Sequence, residues 1–247
     1  MNEILPKPRY THPKRNASPT IVRTFDLFRG LESKDQARIA AMMHMRRFEV
    51  GNYIISADQP GTEVYFLISG RVRVCAFSAN GKQVHFEDLE AGNLFGELAA
   101  IDEEKRSSDC IALEAVTLSI MTRDDFLNVA QQYPTVLNAL LRRLTGMVRR
   151  QMKRVYEFTS CNVSQRVRFE ILRIAANVEQ DSERINESVQ IISPPTHAEI
   201  ATRISTHREA VTRELKNLEA LGVIEWRRGS HYIHDMKALV ELASREL

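Results

Sequence analysis

Five glycines, Gly51, Gly61, Gly70, Gly81 and Gly92, fall 10, 9, 11 and 11 residues apart. Between and after them lie short β-rich pieces: Tyr53-Ile54-Ile55, Val64-Tyr65-Phe66-Leu67-Ile68 and Arg71-Val72-Arg73-Val74. Strands this short, with a residue that tolerates positive φ at each corner, predict an antiparallel barrel or roll from Arg47 to about Thr122. Asn80-Gly81, set between alternating segments, is a strong hairpin signal. Ahead of the roll, Ser33-Lys34-Asp35-Gln36 has capping-box spacing and predicts a short helix through Ile39, Ala40 and Met43.

After Pro134 the period becomes helical. Leu137, Leu144, Gln151 and Phe158 recur every seven residues, with Leu140/Leu141, Met147/Val148 and Val155 filling the positions between. That seam suits either a dimer helix or an intramolecular core helix, and its one polar member is Gln151. A further helix is expected from Ser164 to Val178, a loop from Gln180 to Ser188, and a strand at Val189-Gln190-Ile191-Ile192 that Pro194-Pro195 ends.

Thr196-His197-Ala198-Glu199 has the pattern of a capping box, and Thr206-His207-Arg208-Glu209 repeats it. Two short helices joined by so brief a turn make a helix-turn-helix. The second is expected to run to Leu221 and to end at Gly222, with Ala210, Val211, Leu215, Leu218 and Leu221 inward. Arg208, Glu209, Thr212, Arg213 and Lys216 then point outward. Val223 to Trp226, Arg227 to Ser230 and His231 to His234 add a hairpin, hence a wing. An arginine fork can donate twice to guanine O6 and N7, and a glutamate can accept from cytosine N4. Thr196, Thr206, His207, Arg208, Glu209, Thr212, Arg213 and Lys216 are therefore the candidate contacts to double-stranded DNA; the weaker alternative is that these charges form i,i+4 surface pairs, such as Glu209 with Arg213.

The net charge of +2 is too small to argue for nucleic acid by itself. Its distribution is uneven: Arg142, Arg143, Arg149, Arg150, Lys153 and Arg154 form a stretch without acids, which suits a solvated helix face. The polar N-terminus, with Pro6, Pro8, Pro13 and Pro19, has no apolar core of a signal peptide, and no apolar run is long enough to span a membrane. Three separated cysteines, Cys75, Cys110 and Cys161, indicate neither a disulfide framework nor a zinc ribbon, so the cytoplasm is the expected compartment. With no nucleophile–base pair, no metal-ligand spacing and no Walker loop, and with its acids expected as surface charge, the chain is not expected to be an enzyme.

The remaining chemistry lies in Phe95-Gly96-Glu97-Leu98-Ala99 and, a few residues on, Lys105-Arg106-Ser107-Ser108. Gly96 permits close backbone approach, and a short helix from Glu97 would aim free N–H groups at an anion. Arg106 supplies a fixed charge for a phosphate, Ser107 a hydroxyl, and Glu97 an acceptor for a ribose hydroxyl. A plain Glu97–Arg106 ion pair is the competing account.

These motifs, together with His207-Arg208-Glu209-Ala210-Val211-Thr212-Arg213 and the long helix between them, resemble the Crp–Fnr family of transcription regulators over about Leu27 to Val240. The resemblance implies an α+β chain: an N-terminal antiparallel β-roll, a long dimerisation helix and a C-terminal winged helix-turn-helix. The implied divisions are a flexible basic extension (1–24), a cyclic nucleotide-binding β-roll (25–133), a dimerisation helix and hinge (134–160) and a DNA-binding domain (161–247). Gly96, Glu97, Leu98, Ala99, Arg106 and Ser107 would hold the cyclic phosphate and ribose. Arg208, Glu209 and Arg213 would read a TGTGA-like half-site, with a second copy of the chain and RNA polymerase as partners. In the family's cAMP-binding members a threonine–serine pair on the dimer helix contacts the adenine. Counting back from Arg166 without a gap puts Gln151-Met152 there. A glutamine amide suits adenine or guanine, so cAMP is the expected effector and cGMP the alternative. An iron–sulfur regulator is excluded by the lack of cysteines before Cys75. A haem sensor using Cys75 and His85, a cyclic-di-nucleotide sensor, and a regulatory subunit of an enzyme are the other readings.

Overall fold

The computed structural model describes residues 15–179, 188–192, 194–227 and 230–244. Residues 1–14, most of the loop expected from Gln180 to Ser188, and the wing turn Arg228-Gly229 lie outside that range. The chain divides into two compact units, residues 1–148 and 149–247.

The first unit opens with β1 (Arg15–Asn16) and the short helix α1 (Pro19–Val22), followed by α2 (Ser33–Met42). Residues 15–22, expected within a flexible extension, are instead structural: β1 pairs antiparallel with β2 (His44–Phe48), and Val22 is fully buried. The helix at Ser33 also departs from expectation at its start. Its N-cap is Glu32, with no side-chain cap bond. Ser33 Oγ accepts from Arg23 Nη2 at 2.7 Å, and buried Gln36 accepts from Arg23 Nε at 2.7 Å and donates to the Leu31 carbonyl at 3.0 Å. A distant guanidinium has taken both side chains that the local box would have used.

The roll follows as β3 (Tyr53–Ile55), β4 (Val64–Ser69), β5 (Val72–Phe77), β6 (Gln83–Leu89), β7 (Leu94–Phe95), the helix α3 (Glu97–Asp102), β8 (Asp109–Ala112) and β9 (Val116–Met121). Its strands form a five-stranded sheet ordered β1-β2-β9-β4-β7 and a four-stranded sheet ordered β3-β8-β5-β6. All five evenly spaced glycines have positive φ. Gly70 shows why no other residue serves: a Cβ there would lie 2.6 Å from the Ala115 carbonyl oxygen at φ +89. Val64, Phe66, Leu67, Val116 and Leu118 are fully buried. Phe66 meets Phe25 edge-on and stacks on Phe28, which ties the N-terminal turns to the sheet.

Two helices close this unit, α4 (Arg123–Gln132) and α5 (Pro134–Ser160); the division between the units falls inside α5. Val136 and Leu140 are buried, whereas Leu137, Leu141, Val148, Met152 and Val155 are exposed. One flank of α5 is thus core, and another is an apolar stripe open to solvent.

The second unit is built from the end of α5, then α6 (Val163–Glu179), β10 (Val189–Ile192), α7 (His197–Arg203), α8 (Arg208–Ala220), β11 (Ile224–Arg227), β12 (Ser230–Ile233) and α9 (Met236–Ser244). The three strands are ordered β10-β12-β11, antiparallel throughout, which is the expected wing. Val167, Ile171, Ile200, Val211, Leu215 and Leu218 form its core. α8 ends as expected at Gly222, where Gly222 N–H donates to Glu219 O and Val223 N–H to Leu218 O. Leu221, expected inward, is 57% exposed, because the chain reverses there. The acids are not all surface charge either: Glu97, Glu157, Glu170 and Glu214 are buried.

Candidate functional site

The segment predicted to hold an anion is assembled around one glycine. Leu94 and Phe95 are buried in β7, and Gly96 turns the chain into α3 at φ +83 with no side chain to cap the helix. A Cβ on Gly96 would lie 2.8 Å from Arg106 Nη1, 3.0 Å from the Glu63 carbonyl oxygen and 3.2 Å from Ile55 Cδ1. The close approach that the sequence suggested is therefore an approach to Arg106 itself.

Arg106 is brought in by the loop between α3 and β8, whose backbone is pinned by Asp58 N–H donating to Arg106 O and Arg106 N–H donating to Gln59 O. Its side chain is only 5% exposed. Nη1 donates to Gly96 O at 2.9 Å, and Nη2 to Glu63 O at 2.9 Å and Glu63 Oε2 at 3.2 Å. The guanidinium also lies 5.7 Å from the centre of the Tyr65 ring, which stacks on Phe95. These bonds leave the Nε–H and one Nη1–H of the fork for another acceptor.

Glu97 does not pair with Arg106, as the competing account would require. It is buried, and among the described residues its Oε1 has no hydrogen-bond partner. The nearest cation is Arg143, whose Nε is 3.6 Å from that oxygen. Burial pushes the Glu97 carboxyl above the usual carboxylate range, against the opposing pull of Arg143. Arg143 is itself fixed, donating to Leu94 O and to Asn93 Oδ1. Expected on a solvated face, it instead reaches inward from α5. Val136 and Leu140 precede it at seven and three residues on the buried flank, and that spacing is the signal that would have found it.

The other predicted pocket residues are placed differently. Ala99 is buried, Leu98 is 38% exposed and Ser107 is exposed. Gln151 is half-buried and Met152 is 67% exposed, on the part of α5 that belongs with the second unit. The two residues considered as haem ligands, Cys75 and His85, are cross-strand partners within one sheet. Both are buried; Cys75 Sγ accepts from Gln83 and His85 Nε2 contacts Asp88. Cross-strand partners face the same way, so these two side chains do not occupy opposite sides of one planar macrocycle.

In the second unit the box at Thr196 forms in full. Thr196 Oγ1 accepts from Glu199 N–H at 3.2 Å, and Glu199 Oε2 accepts from Thr196 N–H at 2.7 Å. The second box does not form. The N-cap of α8 is His207, without a side-chain bond, and Thr206 N–H is instead consumed by Ala201 O in the turn. Arg208, Glu209, Arg213 and Lys216 are exposed and, with Thr212, line one surface concavity. Among the described residues, none of those four has an ion-pair partner, so a Glu209–Arg213 surface pair does not form. Thr212 is engaged internally, with its Oγ1 2.8 Å from His197 Nδ1 and bonded to Arg208 O. Glu214, on the opposite face, is buried against Arg168 at 2.7 Å, which fixes α8 to α6.

Comparison with known proteins places both sites in a context. Residues 45–133 match the cyclic nucleotide-binding domain family, and residues 165–242 match the Crp-like helix-turn-helix domain family. The chain is 25% identical over 217 residues to the cyclic AMP receptor protein of Thermus thermophilus, covering 88% of this chain and 96% of that one. It is 24% identical, over the same shares, to a CRP-like cAMP-activated global transcriptional regulator of Mycobacterium tuberculosis. Among solved structures, a CooA mutant from Carboxydothermus hydrogenoformans has the same fold, with a TM-score of 0.72 at 17% identity over 96% of this chain and 98% of that one. The Mycobacterium relative is by its name a regulator of transcription. With both domain families present in this order, the chain belongs to the Crp–Fnr family, as a cyclic nucleotide-binding, DNA-binding transcription regulator.

Proposed function

We propose that the chain is a homodimeric regulator that binds cAMP in the first unit and then reads a pseudo-palindromic, TGTGA-like operator with α8. The observation that carries the effector half is Glu97 Oε1, buried next to a Gly96 cradle that a side chain would fill. Among the described residues it accepts no hydrogen bond and has Arg143 Nε only at ion-pair distance, 3.6 Å. A buried acceptor without a donor costs free energy until a ligand hydroxyl supplies one. A ribose 2′-OH is such a donor, and the spare N–H groups of Arg106 suit a singly charged cyclic phosphate. Ser107, Leu98 and Ala99 complete this reading of the pocket.

The exposed apolar stripe of α5 supports the second copy of the chain as partner. Effector that binds better to one arrangement of the paired helices would favour reading helices about one DNA turn (~34 Å) apart. RNA polymerase is the further proposed partner. None of the described helices is long and apolar enough to cross a membrane, and the cytoplasm is the proposed compartment.

Calorimetric titration with cAMP and with cGMP, each repeated with operator DNA present, tests the effector. Binding of cAMP that tightens with operator is expected; tighter cGMP binding reassigns the base, and binding of neither removes the reading. For the DNA half, Arg208→Ala should weaken operator binding by roughly 10- to 100-fold while leaving salt-sensitive nonspecific binding in place. Unchanged operator affinity would contradict base reading by this residue.

A further inference from the structure

The last turns of α5 meet α6 and α7 through charges that are nearly all out of water. Glu170 is contacted from three helices: by Arg154 of α5 at 3.3 Å, by Arg173 of α6 at 2.8 Å and by Arg203 of α7 at 3.3 Å. Arg173 also donates to both carboxylate oxygens of Glu157 on α5, each at 2.8 Å. Glu157 and Glu170 are buried, and the Arg154 side chain is 12% exposed.

Two of the surrounding guanidiniums do something more specific. Arg154 Nη2 donates to Arg203 O at 2.8 Å, and Arg166 Nη1 donates to Ile204 O at 3.1 Å. These carbonyls close the C-terminal end of α7, where backbone acceptors lack helical partners and positive charge is favoured. Phe158 contacts both cations, its ring centre 5.5 Å from the Arg154 guanidinium and 5.6 Å from that of Arg166. One arginine from α5 and one from α6 thus grip the same end of α7. The turn beyond it is tight, with Ser205 at φ +51, and α8 begins at Arg208.

A buried cluster of ions is a poor way to gain stability, since apolar side chains of similar volume usually do as well. What charge-assisted bonds add is direction. We propose that Arg154 (held by Glu170), Arg166 and Phe158 are positioning residues that fix the angle between the end of α5 and the reading helix, and so set the half-site spacing a dimer accepts. The inference rests on the reading of α5 as a dimer helix.

The test uses the full chain with saturating cAMP, on synthetic operators of two TGTGA half-sites whose separation is normal or changed by a base pair, and on a single half-site. Wild type should prefer the normal spacing by about tenfold or more. Arg154→Met should compress that preference to about threefold or less, while single half-site affinity stays within about twofold and the dimer persists in ultracentrifugation. If Arg154→Met fails to fold, Phe158→Leu should act in the same direction and more weakly. Full spacing preference in the folded variant overturns the inference, and so does an equal loss on single and paired half-sites, which marks a merely structural role. A wild type indifferent to spacing would overturn the dimer reading, and the joint with it.

Discussion

Arg106→Ala is expected to abolish effector-dependent operator binding by lowering cyclic nucleotide affinity about 100-fold or more. The size follows from charge and burial together. A charge-assisted hydrogen bond is worth about 1.5–3 kcal/mol, and the fork has N–H groups left for two of them. The same substitution strips the donors from Gly96 O and Glu63 O, so the first unit should also lose roughly 2–4 kcal/mol of stability. The two effects separate experimentally. Calorimetry on protein held well below its unfolding transition reports the ligand, and denaturant unfolding reports the fold. Salt-sensitive nonspecific DNA binding should survive, because it belongs to the other unit. Operator binding by Arg106→Ala that still responds to nucleotide would refute the assignment.

Gly96→Ala should be nearly as damaging, for a different reason. At φ +83 any L side chain is strained, and its Cβ would also press on Arg106 Nη1 and the Glu63 carbonyl. Strain and overlap together are expected to cost about 2–4 kcal/mol and to push the guanidinium off its seat. Gly51→Ala provides the control: φ is +80 there, but nothing lies within 4 Å, so only the strain of about 1–2 kcal/mol remains. Denaturant midpoints and cyclic nucleotide titration of the two variants measure the difference. Equal losses in both would mean that the approach to Arg106 is not the constraint.

Gly51 and Gly96 also mark what a sequence can disclose. Positive φ is a local demand, and the glycines that meet it stand at even spacing, so the roll is legible from the amino-acid order alone. The helix-turn-helix is legible for the same reason: Gly222 and the box at Thr196 depend on neighbours a few residues away. Some failures are local, such as the box at Thr206, whose N–H bonds Ala201 O in the turn; the others involve partners from outside any short window. Ser33 and Gln36 have the spacing of a cap, yet Arg23 claims both. Arg142 and Arg143 are indistinguishable as residue types; only the buried positions at 136 and 140 tell which one turns inward. Glu157 and Glu214 look like surface acids because their arginines lie 16 and 46 residues away in sequence. Glu170, although Arg173 is only three residues on, is enclosed by Arg154 and Arg203, 16 and 33 residues away. A charge can be buried only once its partner has been folded beside it, and no window of sequence contains that event.

The uncovered stripe on α5 carries a consequence of a genetic kind. Leu137, Leu141, Val148, Met152 and Val155 are the same residues in a sound copy and in one altered at Arg106 or Arg208. If the stripe joins two copies, altered and sound chains would pair without discrimination. In a cell making equal amounts of both, about half of all dimers would be mixed, and only about a quarter would carry two sound chains. A lesion in either head would then be dominant in proportion to how strictly the operator demands both.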